Sequence, residues 1–83
     1  MKIDFSNSSE KEIQKFYKDI STNVKYFRKD RNITQLDIAL DIGIKSVAFY
    51  SNCENNKYGK HFNLEHLYKI SKSLNIELDL LIK

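Results

Sequence analysis

Residues 35–54 read QLDIALDIGIKSVAFYSNCE. Leu36, Ile38, Ala39, Leu40 and Ile42 supply the apolar positions of a short helix opened by Thr34, with Asp37 three residues on to complement the positive amino end. Gly43 ends that helix, since a terminator needs a left-handed residue without a β-carbon. Four residues earlier, Ala39 offers a small side chain where another helix can approach closely. Ser46 can then cap a further helix, Val47 to about Asn55, with Tyr50 and Cys53 inward. Two short helices joined by a glycine-containing turn of a few residues form a helix-turn-helix. In that arrangement the first helix holds the second at a steep angle, so that its exposed face can enter a DNA major groove.

The flanking sequence extends the helical pattern in both directions. Upstream, Ser6-Asn7-Ser8-Ser9 is polar, and Ser9 precedes Glu12 at the spacing of a capping box, so a helix starts there. Ile13, Phe16, Tyr17, Ile20, Val24 and Phe27 recur at three- and four-residue steps down to about Arg31, with Lys11, Lys15, Lys18, Lys25 and Lys29 on the opposite face. Met1 to Phe5 alternates, which permits a short strand or a disordered start. Downstream, Asn55 to Lys60 is a polar turn; Asn63 caps a fourth helix with Leu64, Leu67, Tyr68, Ile70 and Leu74 inward, and Asn75 is its stop. The tail 76–83 alternates like a strand through Leu80, while Leu78, Leu81 and Ile82 make a helical face; a short helix is preferred and an edge strand stays open.

Eighty-three residues allow one core and no more, and proline is absent with only two glycines, which favours an all-α chain of five helices. Residues 1–19 read as an N-terminal extension, helical from about residue 9 and continuous with the first helix, and residues 20–83 as the helix-turn-helix domain. One cysteine excludes an intrachain disulfide framework, and without a secretory segment or a run approaching the ~20 apolar residues of a membrane span the expected compartment is the cytoplasm. The net charge of +3 fits a polyanion partner without requiring one. His61 and His66 stand five apart rather than the four that would put both on one helix face for a metal. With no nucleophile cluster and no glycine-rich phosphate loop, the expectation is a non-enzyme without cofactor or metal.

From about Ile20 to Ile82 the chain resembles the Cro and phage-repressor helix-turn-helix proteins, the XRE family. The resemblance rests on Phe27-Arg28, Ile33-Thr34-Gln35, Ile38-Ala39, Ile42-Gly43, Ser51, Cys53 to Lys57, and Leu64, Leu67, Ile70, Leu74 and Ile76. It implies a lambda-repressor-like fold and a sequence-specific transcriptional regulator, more a repressor than an activator; abundant Ile, Lys and Asn with scarce Ala, Gly and Arg fits an A·T-rich bacterial or phage genome. It also implies that Gln35 bonds a backbone phosphate and that Arg28 pairs with Glu54 as a structural link. Between Gly43 and Glu54 the chain has one residue more than the family's usual count. Placed in the turn at Ile44 or Lys45, it makes Ser46 the cap and puts Val47, Ala48 and Asn52 at the base-reading positions, with Ser51 close by. Placed inside the helix, it shifts those assignments by one and sets Phe49 against Tyr50 for the core.

In the first register Asn52 can donate to and accept from an adenine edge while Val47 and Ala48 face thymine methyls, an A·T-containing half-site. Lys45, Asn55, Lys57 and Lys60 flank the helix and would touch phosphates. One reading helix buries little surface, so a homodimer on paired half-sites of double-stranded DNA is expected. The apolar stripe from Ile13 to Tyr17 either packs on the same core or forms a dimer seam or partner face. The alternative from another class is an antitoxin-type interaction module, neutralising a toxin partner through the N-terminal helix or the tail while repressing its own operon. Nonspecific nucleoid binding would call for a larger basic excess.

Overall fold

The computed structural model describes residues 9–83, so the alternation of Met1 to Phe5 lies outside the described residues. The five helices are α1 (Glu10–Asp30), α2 (Gln35–Asp41), α3 (Val47–Asn55), α4 (Leu64–Leu74) and α5 (Asp79–Ile82), with one 3-10 turn, Lys57–Gly59, after α3. Among the described residues there is no strand, and the tail is helical. None of these helices is long and apolar enough to cross a membrane.

Short polar side chains start four of the helices. Ser9, Thr34 and Ser46 accept the amide hydrogens of Glu12, Asp37 and Phe49 at 3.0–3.1 Å. Asn63 accepts from the His66 amide at 2.7 Å, and His66 Nδ1 accepts the Asn63 amide in return at 3.2 Å, an imidazole standing where a capping box ordinarily has Glu or Gln.

The helix ends share one device. Asn32, Gly43 and Asn75 take left-handed backbone after α1, α2 and α4. The amide of the next residue reaches back to a carbonyl in the last turn, from Ile33 to Arg28 (3.1 Å), Ile44 to Ala39 (2.8 Å) and Ile76 to Ser71 (3.0 Å). In this Schellman geometry an apolar residue follows the left-handed one and folds onto the helix it has just left. Ile44 is buried and Ile33 and Ile76 pack against the core.

Of the two registers open for α3, the fold adopts the one in which the helix starts after Ser46. Ser46 is the cap, Tyr50 and Cys53 are fully buried, and Phe49 packs at the core's edge against His66.

α1 is the spine of the core: Ile20 and Val24 are buried, and polar side chains along it and at its C-cap, Arg31, close the ends of other helices. Ser21 Oγ donates to the Cys53 carbonyl (2.9 Å), Asn23 Nδ2 to the Leu81 and Lys83 carbonyls (3.0 and 2.7 Å), and Arg31 Nε to the Leu74 carbonyl (2.6 Å). Leu74 and Leu81 stand in the last turns of α4 and α5, where a helix leaves its carbonyls without a partner of its own.

One expectation is corrected, and two open points are decided by the packing. Leu64 and Tyr68 are exposed rather than inward, because α4 turns Leu67, Ile70, Ser71 and Leu74 to the core and leaves those two on its flank. On α2 only Ile38 and Ala39 are buried, and Leu36 and Leu40 face outward. On α1 the stripe leaves the core above Ile20: Ile13 and Phe16 are exposed, and Tyr17 stacks flat on His61 with ring centroids 3.7 Å apart.

Candidate nucleic-acid interface

α3 divides into two faces at helical period. Tyr50, Cys53 and Glu54 turn inward, while Val47, Ala48 and Asn55 are exposed and Ser51 and Asn52 half-buried on the other side. The outward set is small, with no long charged side chain to block close approach to a surface. Lys45 stands exposed before the helix, Lys57 and Lys60 after it. Ser46 is exposed, with its hydroxyl engaged on the Phe49 amide.

Beneath this face lies a polar network that fixes the helix. The Glu54 carboxylate accepts from Arg28 Nε (2.9 Å), Arg28 Nη2 (2.8 Å), the Tyr50 hydroxyl (2.7 Å) and Gln35 Nε2 (3.1 Å). Arg28 Nη1 also donates to the Ile33 carbonyl at 2.7 Å. A planar guanidinium meets both carboxylate oxygens, the geometry in which a buried ion pair offsets most of its desolvation. Burial by itself would raise the Glu54 carboxyl, but the hydrogen bonds from Arg28, Tyr50 and Gln35 and the charge of Arg28 together hold it below the ordinary carboxylate range. The bond to Glu54 pushes Arg28 up, and burial followed by the Glu54 charge pushes the Tyr50 phenol far up, so the pair stays charged and the phenol stays a donor. One carboxylate thus joins α1, α2 and α3, and no described buried side-chain nitrogen or oxygen lacks a partner.

Gln35, the first residue of α2, is half-buried with one amide hydrogen on Glu54. A carboxamide carries a second hydrogen, which can bond a further acceptor.

The structure also brings in Lys25, which sequence reading left among the outward lysines. It is half-buried, and its Nζ donates to Asn55 Oδ1 at 2.8 Å, while Asn55 Nδ2 donates to the Ser51 carbonyl at 2.9 Å. A positive charge from α1 is thereby delivered to the last turn of α3. The signal was available: Lys25 precedes Arg28 by three residues and shares its face of α1. The Cys53 thiol, at the centre of the core, is pushed up by burial and is a packing group rather than a nucleophile. Among the described residues no three His, Cys, Asp or Glu side chains gather as metal ligands.

A short bracing helix, a tight glycine turn and a second helix with its small-residue face outward define a helix-turn-helix protein of the DNA-binding kind. A family model described as Helix-turn-helix matches residues 24–81. The chain belongs to that family, the Cro/C1-type or XRE helix-turn-helix proteins, and is a DNA-binding helix-turn-helix regulator. No curated protein and no solved structure matches it.

Proposed function

We propose that the chain is a sequence-specific transcriptional repressor that places α3 in the major groove of an operator and acts as a homodimer in the cytoplasm of a bacterium or of a phage-infected cell. The observation that carries this reading is the outward face of α3, backed by a fully satisfied network at Glu54. Val47, Ala48 and Asn52, with Ser51 beside them, read base edges, the Asn52 amide on adenine and the methyl groups of Val47 and Ala48 on thymine. Gln35, with its second amide hydrogen and the amino end of α2, bonds one phosphate; Lys45, Ser46, Asn55, Lys57 and Lys60 set the helix on the backbone. Repression needs only occupancy of a promoter.

Selection of bound duplexes from a random pool at about 0.15 M salt, where nonspecific contacts are weakened, tests the reading. Enrichment of one inverted repeat supports it, and an unenriched pool overturns it. The Asn52→Ala chain is expected to lose about 1–3 kcal/mol at the A·T step it reads, and unchanged preference there removes Asn52 from the reading set.

Residues 1–19 are proposed as an extension whose helical part serves the second copy. Ile13 and Phe16 stay exposed, and Phe16 lines an apolar groove of about 320 Å³ with Tyr17, Phe62, Leu64 and Ile82; two reading heads require a surface of this kind. The antitoxin reading takes the N-terminal helix or the tail for a toxin. A chain that sediments as a monomer at every concentration and protects no inverted repeat would shift the assignment to that reading.

A further inference from the structure

We propose that Tyr58 is a DNA-backbone contact, its phenol on a phosphate and its ring against the adjoining deoxyribose, just beyond the last turn of α3. The inference rests on the reading of α3 as the DNA-reading helix. Tyr58 is 82% exposed, so its ring contributes almost nothing to the core. Its backbone is left-handed, φ +57° and ψ +33°, where a β-carbon is crowded and a bulky residue is rare. The neighbouring left-handed positions hold Asn56 and Gly59, residue types that tolerate that geometry. Among the described residues, Tyr58 alone combines a conformation that disfavours its side chain with a side chain its own fold does not use.

The surroundings indicate what does use it. Lys57 and Lys60 flank it, both exposed, and it stands three residues past Asn55, which holds the Lys25 ammonium at the end of the outward face of α3. A helix seated in the major groove passes the strand backbone where it leaves the groove, so a loop at that end meets sugar and phosphate rather than base edges. A phenol there has one donor for a phosphate oxygen and an apolar face for the sugar.

The test follows four chains, wild type, Tyr58→Gly, Tyr58→Phe and Lys57→Ala, on the duplex that wild type enriches from a random pool, by affinity across a salt series and by thermal unfolding. Tyr58→Gly is expected to unfold at the same temperature as wild type or a few degrees higher, yet to bind about 3- to 10-fold more weakly, with unchanged sequence preference. Because the contact is neutral, its slope of log affinity against log salt stays that of wild type, whereas Lys57→Ala lowers the slope by about one unit. Tyr58→Phe apportions the effect: loss equal to that of the glycine chain assigns it to the phenol, and retained affinity assigns it to the ring. Wild-type affinity in both Tyr58 variants overturns this proposal alone. Failure of wild type to bind any duplex overturns the DNA reading and this proposal with it.

Discussion

At Glu54 a carboxylate with no exposed surface meets the guanidinium of Arg28, and the two partners differ in how they depend on pH. The Glu54 carboxyl lies below its ordinary value, so as pH falls the unfolded chain takes up its proton first. Its contribution is therefore fully present above about pH 4.3 and is lost as pH drops through the lowered folded-state value. Glu54→Gln keeps the volume but leaves the Arg28 charge buried without its partner. Urea unfolding near neutral pH should show a loss of about 3–5 kcal/mol, and the acid limb of the stability profile should flatten. Stability within 1 kcal/mol of wild type would mean that Arg28 finds another acceptor. Asn55 shows the limit of reading single residues: it was assigned to phosphate, and in the fold its amide also links Lys25 to Ser51.

The helices take their bounds from residues next to them, and three of the four capping side chains are hydroxyls that a change of pH does not touch. α4 is the exception. Burial against the rings of Phe49 and Phe62 pushes His66 below its ordinary value, Glu65 opposing and Lys69 adding to the shift. The unfolded chain then binds the proton first, so stability falls as pH drops below about 6.5, and a protonated Nδ1 no longer accepts the Asn63 amide. His66→Gln retains the capping spacing without the titration. Its Tm should stay level between pH 7 and 5.5 while that of wild type declines; parallel declines would place the pH dependence elsewhere. The stops were half legible: Gly43 and Asn75 were read as terminators, whereas Asn32 was not, although Asn32-Ile33 repeats the left-handed residue and following isoleucine of Gly43-Ile44 and Asn75-Ile76.

Over the whole molecule, with principal extents of 43 × 27 × 19 Å, α1 is the longest element at 21 residues, about 31 Å. The family match begins at residue 24, so residues 10–23 of α1 precede it and present Ile13 and Phe16 outward. If a second copy covers that face, Phe16→Glu should yield a monomer by sedimentation and weaken operator binding more than 10-fold. Because Phe16 is half exposed, the monomer's own stability should change by only about 0.5 kcal/mol. Unchanged sedimentation would place the dimer contact elsewhere, and an equal fall in Tm and affinity would make Phe16 a folding residue.

By itself the sequence determined the all-helical class, the four capped helix starts, the helix-turn-helix and the inward positions Tyr50 and Cys53, because caps, glycine stops and helical period act over three or four residues. The Arg28–Glu54 link was reached through resemblance, since partners 26 residues apart leave no local signal. Only the tertiary structure decided which apolar stripes are covered. Ile20 and Ile13 carry the same periodic signal, yet one is buried and the other exposed, because burial depends on whether another helix arrives to meet it. The same holds for the register of α3, which was open until the core accepted Tyr50 and left Phe49 at its edge.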